Sequence, residues 1–173
     1  GGTSGAIINA DQIDMTLDID TVSASGGRLG CGTILVIDDS NCIVDIVRNN
    51  LDFFRGESCG KCTPCREGGQ QLYNLVTRIS RGLATLPDLE KIDELTETMR
   101  LTALCGLGHS TAVPVQTSIQ NFRKEYLAHI DRDYCPDCAQ AAVAEGIYEA
   151  EEDYRNDGNS RMGRRRAAVG ERD

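Results

Sequence analysis

Three cysteines spaced by two residues, Cys59-x-x-Cys62-x-x-Cys65, constrain this chain more than anything else in it, because they bring three sulfurs to one turn of backbone. A two-residue gap lets the chain curl around a metal with its N–H groups facing inward, so these thiols suit three corners of an iron-sulfur cubane. The fourth corner must come from elsewhere, and Cys105 is the candidate after 39 intervening residues. A bacterial ferredoxin places its next cysteine sooner and follows it with proline, whereas Arg66-Glu67-Gly68-Gly69 follows here. Two apolar helical stripes separate Cys65 from Cys105, so a helical hairpin is needed to return the chain. Zinc also accepts four thiolates, but its ribbons and fingers pair two separated Cys-x-x-Cys knuckles. Three evenly spaced cysteines and one distant one fit a [4Fe-4S] cluster better. Buried thiols without a metal are the third reading. Lys61 and Arg66 flank the thiols, where they offset cluster charge, and Gly60, Gly68 and Gly69 allow N–H groups to approach the sulfurs.

Eight cysteines in 173 residues is well above ordinary usage yet below the density of a disulfide-built mini-protein. A chain this long buries roughly two-thirds of its unfolded surface without disulfides. Gly1-Gly2-Thr3-Ser4-Gly5 has neither the basic nor the apolar region of a signal peptide and no start methionine, which reads as a fragment or processed chain in a reducing, cytoplasmic setting. Residues 101–122 lack Asp, Glu, Lys and Arg, but Gly106, Gly108, His109 and Pro114 argue against a membrane helix. No direct membrane span is expected, and a peripheral place on a membrane complex is compatible with this.

The formal charge of −9 argues against a nucleic-acid partner, since such binding neutralises phosphates with Lys and Arg. The charge is uneven: −6 over residues 1–58, +1 over 59–130 and −4 over 131–173. The near-neutral middle block holds the four candidate ligands, whose thiolates add negative charge on binding metal.

The expected fold class is α+β and mainly α. A strand pattern, Thr33-Ile34-Leu35-Val36-Ile37, sits in residues 1–44, which are too poor in apolar residues to stand alone as a sheet. Four amphipathic stripes follow: Ile43 to Phe54, Leu72 to Leu83 with Gly82 as a C-terminal cap, Pro87 to Met99, and Val115 to Ile130 with Thr111 as N-cap and Pro114 in the first turn. Short links between them predict an antiparallel four-helix domain over 45–130. Residues 131–173 read as an acidic extension with Cys135-Pro136-Asp137-Cys138, a helical stretch from Ala139 to Glu151, and a disordered tail whose Arg164-Arg165-Arg166 run is solvated.

The run from Glu57 to Gly68, Glu-Ser-Cys-Gly-Lys-Cys-Thr-Pro-Cys-Arg-Glu-Gly, resembles the cluster-binding signature of the flavin-bearing, NADH-oxidising subunit of respiratory complex I and of NAD-linked hydrogenases and formate dehydrogenases. Leu104-Cys105-Gly106-Leu107-Gly108 resembles its fourth-ligand segment. Gly1 to Gly5, Asp18 and the stretch from Gly30 to Asp38 resemble the end of the β-grasp (SLBB-like) module that precedes the cluster domain. The resemblance covers about residues 1–130. It implies a partial β-grasp module over 1–44 and a [4Fe-4S] cluster on Cys59, Cys62, Cys65 and Cys105. The implied role is one-electron relay within an NADH:acceptor oxidoreductase: hydride from NADH reduces FMN, and the cluster passes electrons singly to other iron-sulfur subunits. No glycine-rich nucleotide loop occurs here, so FMN and NAD(H) are expected only in the wider complex, on a preceding domain or a partner chain, and no catalytic residue is assigned. The alternative is a structural or regulatory assembly module whose zinc or iron-sulfur site holds the bundle without turnover.

His109 stands where the family typically carries glutamine, and reads either as a donor near the cluster or as a plain loop histidine. Cys135 and Cys138 with His129 make three ligands of a metal site and leave one missing. Cys31 and Cys42 read as small core residues.

Overall fold

The computed structural model describes residues 1–131. The expected helix from Ala139 to Glu151, the Cys135/Cys138 pair and the arginine-bearing tail lie outside the described residues. Two short 3-10 turns, Gly2–Ser4 and Ala10–Gln12, precede five helices: α1 Ile19–Ala24, α2 Ile43–Gly56, α3 Thr63–Ser80, α4 Leu86–Thr102 and α5 Gly106–Asp131.

Helices α2 to α5 form because each carries an apolar stripe that the others bury. Leu51 of α2, Leu72, Val76 and Ile79 of α3, Ile92 of α4 and Val115 of α5 are sealed from solvent in one core, each contributing about 1.5–3 kcal/mol by its burial. Helix α2 packs on α3 and α5, and α4 packs on the same two. The links 57–62, 81–85 and 103–105 are short, so successive helices must run antiparallel. Helices α3 and α4 differ by one residue in length, 18 against 17, so the hairpin returns the chain to the level at which it left.

The α3 C-terminus closes as its sequence predicts. Gly82 takes φ +67°, and Gly82 and Leu83 donate to the carbonyls of Ile79 and Arg78, each at 2.9 Å. At the other end of this link Asp88 is 3% exposed. Its carboxylate accepts from the Thr85 amide and hydroxyl, both at 2.9 Å, and pairs with Arg78 at 3.3 Å. Burial pushes the Asp88 carboxyl up, but the Thr85 hydrogen bonds and the Arg78 and Lys91 cations outweigh it and hold the group below its ordinary 3.8. A depressed carboxylate adds stability that is present above the unfolded-state value and is lost as pH falls through the lower folded one. Asp88→Asn should therefore cost about 1 kcal/mol near neutrality. Its urea midpoint, followed by circular dichroism, should converge on the native one below pH 3.8.

Three expectations change. First, no strand occurs among the described residues, and a β-grasp module is not shown, so the α+β assignment gives way to a helical one. Backbone bonds join Gly2 to Thr33 and Cys31 to Gly1, both at 3.4 Å. Beyond them Ile34 to Ile37 find no pairing segment among the described residues, and Val36 is 87% exposed. A β-branched run becomes a strand only when a neighbour takes its N–H and C=O groups. Second, Cys31 lies exposed beside the Thr33 hydroxyl, not in the core, whereas Cys42 is buried as expected. Third, α5 begins at Gly106 and not after Thr111. The Thr111 hydroxyl donates back to Leu107 at 2.9 Å instead of capping, and Pro114 sits inside the helix at the loss of one backbone bond.

Helix α5 breaks at Phe122 (φ −125°, ψ 28°). The buried Tyr126 hydroxyl donates to Ser118 Oγ at 2.7 Å across the break, since the Ser118 hydroxyl is itself donated to Val115. The N-terminal segment is tied to the same helix. Ile7 donates its amide to Thr117 Oγ1 at 3.0 Å and accepts from Asn121 Nδ2 at 2.8 Å.

Candidate metal centre

One end of the bundle collects the end of α2, the start of α3, the end of α4 and the start of α5, and all four predicted cysteines belong to it. Cys62 is the N-cap of α3, and its carbonyl accepts from Arg66 at 3.0 Å. Cys105 holds the corresponding place before α5, its carbonyl accepting from His109 at 3.3 Å. Two cysteines thus stand at the amide-rich ends of two long helices. Cys65 lies in the first turn of α3, is 7% exposed and approaches Ser58 Oγ at 3.3 Å. Cys59 and Cys105 face outward.

The contact between the two halves of the motif is made by backbone. The Leu104 amide, then the Cys65 amide, is directed at the Cys62 sulfur, and with the more distant Arg66 cation they hold that thiol below its ordinary value of 9.0. Arg66 reaches over the turn to donate to the Gly60 carbonyl while pairing with Glu67 at 2.8 Å. Gly108 completes the joint. A Cβ there would lie 2.5 Å from Ala103 Cβ and 3.3 Å from Cys65 Cβ, so only glycine lets the first turn of α5 come this close.

Among the described residues no three His, Cys, Asp or Glu side chains gather as a single metal ion would require. One tetrahedral zinc ion needs its sulfurs about 3.8 Å apart, whereas a cubane takes one thiolate at each iron corner and spreads them wider. The donor set is soft thiolates, with amides turned towards the Cys62 sulfur, and is of the kind that holds an iron-sulfur cluster or a zinc ion.

Residues 45–129 match the NADH-ubiquinone oxidoreductase-F iron-sulfur binding region. The helical part of the chain belongs to that family. NADP-reducing hydrogenase subunit HndC of Solidesulfovibrio fructosivorans is 38% identical over 136 residues, which cover 79% of this chain and 28% of that protein. The F-type subunit of NADH-quinone oxidoreductase in Mycobacterium bovis is also 38% identical over 136 residues, 79% of this chain and 31% of its own. A crystal structure of an NAD+-reducing [NiFe]-hydrogenase in the H2-reduced state superposes with a TM-score of 0.67 at 32% identity, over 86% of this chain and 26% of that one. The chain spans about a third of the length of the curated relatives it matches.

Within this F-type iron-sulfur region, one ring nitrogen of His109 is taken up by backbone. Its Nδ1 sits 2.7 Å from the Arg100 carbonyl, which accepts only, so the ring donates there and caps the end of α4. Sequence reasoning missed the Leu104 amide and the paired N-cap placement of Cys62 and Cys105. Thr63-Pro64 directly after Cys62 was the available signal, since proline favours the first turn of a helix. It also missed the contact of Cys42 Sγ with His129 Nε2, buried at 3.2 Å and 87 residues apart in sequence.

Proposed function

We propose that this chain relays electrons one at a time through a [4Fe-4S] cluster held by Cys59, Cys62, Cys65 and Cys105, as part of an NADH-oxidising complex. The observation that carries this reading is the directed contact of the Leu104 amide with the Cys62 sulfur, which sets the segment of the fourth cysteine against the Cys-x-x-Cys-x-x-Cys turn. When bound, the cluster would supply a one-electron couple between flavin and partner clusters. The chain's own residues position and tune: the Leu104 and Cys65 amides stabilise negative charge at the Cys62 sulfur, and the Arg66 guanidinium adds a more distant cation. FMN and NADH belong to a domain or chain beyond this one, and other iron-sulfur subunits take the electrons. Among the described residues no helix is long and apolar enough to cross a membrane, which fits a peripheral place in such a complex.

Anaerobic purification with iron, sulfide and zinc analysis, and EPR after dithionite reduction, tests the reading. About four iron and four sulfide per chain with a reduced-cluster signal are expected. Zinc at these cysteines and no such signal would replace electron relay by a structural assembly role.

A further inference from the structure

The turn that carries the first three cysteines also carries a hydroxyl with one proton to give. Ser58 comes directly before Cys59 and is half-buried, and its Oγ lies 3.3 Å from the sulfur of Cys65, seven residues further along at the start of α3. The other side of the same oxygen is occupied. The Gly60 amide donates to Ser58 Oγ at 3.3 Å, from a residue held at φ +73°, a left-handed conformation that glycine adopts without strain. A serine hydroxyl has one hydrogen and two lone pairs. With the Gly60 N–H on a lone pair, the hydrogen remains for Cys65.

Which of the two groups donates is decided by what Cys65 becomes when it holds iron. A cluster ligand is a thiolate with no proton of its own, so its sulfur can only accept and Ser58 must donate. We propose that the Ser58 hydroxyl donates to the Cys65 thiolate and thereby raises the reduction potential of the cluster. Ser58 acts through the Cys65 sulfur, as a positioning residue, and its role rests on the reading that the four cysteines hold a [4Fe-4S] cluster.

The sign follows from where charge goes. Reduction adds one electron, with no bond formed or broken and the proton staying on Ser58, and part of the added charge falls on the cysteine sulfurs. A donor to sulfur stabilises the electron-rich, reduced form more than the oxidised one, so it favours uptake of the electron. Location decides how much each donor counts. Cys59 and Cys105 face outward, where water can supply donors to their sulfurs. Cys65 is 7% exposed, and a hydrogen bond screened from water is electrostatically stronger. Cys62 receives the main-chain amides of Leu104 and Cys65, which no side-chain substitution removes. The Ser58 hydroxyl is a contact to sulfur that a point substitution deletes while every ligand stays in place.

An EPR-monitored redox titration of the full chain, purified anaerobically with its iron, tests this. Ser58→Ala should keep the iron content of the native chain and titrate at a more negative potential. At a fixed potential its ratio of reduced to oxidised cluster should fall about three- to tenfold, roughly 30 to 60 mV for one electron. Ser58→Thr keeps the hydroxyl and should return most of the shift. Electron-nuclear double resonance on the reduced cluster adds a readout that packing does not move: an exchangeable proton present in the native chain and in Ser58→Thr, and missing from Ser58→Ala. A potential unchanged in Ser58→Ala overturns the proposal, as does an equal shift in Ser58→Thr. Iron lost from Ser58→Ala overturns it too, since the hydroxyl would then brace the turn and not tune the cluster. A native chain that binds zinc and gives no reduced-cluster signal fails earlier, at the cluster reading itself, and takes this proposal with it.

Discussion

Cys105→Ala is expected to strip the chain of its four-cysteine cluster, leaving little or no iron and no EPR signal after dithionite. The effect is large because a cubane takes one thiolate at each iron corner, and without Cys105 only three cysteines of the set remain. A cubane short of one thiolate exposes an iron corner to solvent, and Cys105 is already outward-facing. The fold itself should survive, since the Cys105 side chain is not in the core. Far-ultraviolet circular dichroism of the variant should match that of the native chain with its cluster removed. Iron content and spectrum unchanged from native would reject Cys105 as the fourth ligand.

Gly108→Ala should cost the cluster without touching a ligand. The added methyl has no room: it would meet Ala103 Cβ at 2.5 Å, and Ala103 cannot swing aside because its Cβ is fixed by the backbone. Relief has to come from moving the 103–105 link away from α5 or α5 away from Cys65, and either motion withdraws the Leu104 amide and the Cys105 thiol from the turn at Cys62. Overpacking of this kind costs about 1–3 kcal/mol. We expect that destabilisation together with a loss of most of the bound iron. Gly56→Ala is the control. No atom lies within 4 Å of its added carbon, and an alanine at the end of α2 should be neutral or slightly stabilising. Full iron occupancy in Gly108→Ala would show that the approach of α5 to α3 does not position the fourth cysteine.

Much of this architecture could be read from residue order alone, and the exceptions have physical causes. Helices announced themselves through stripes such as Leu72, Leu75, Val76 and Ile79, because a surface helix must bury one face and only one. The Gly82 cap was legible for the same local reason. The start of α3 was harder to read, because the apolar stripe begins only at Leu72 and Thr63-Pro64 after Cys62 is the one local signal of a helix start. The Thr33 to Ile37 run misled because strand formation is decided by a neighbour, not by the strand. At the site, the four cysteines were legible as a set through their spacing. The amide of Leu104 and the close approach at Gly108 were not, since both arise from how α5 meets α3, a contact between segments some 40 residues apart.

Ile7 clasps α5 on both sides of its peptide, and its partner Thr117 lies 110 residues further along the chain. On a ribosome that separation becomes a delay. At ordinary elongation rates roughly 5 to 20 seconds pass between the synthesis of the two residues. Helices α2, α3 and α4 can pair within that interval from contacts already made, while the N-terminal segment waits with its peptide groups in water. Among the described residues the earliest made are therefore among the last to find their place, and in the finished protein the same segment should be among the first to let go.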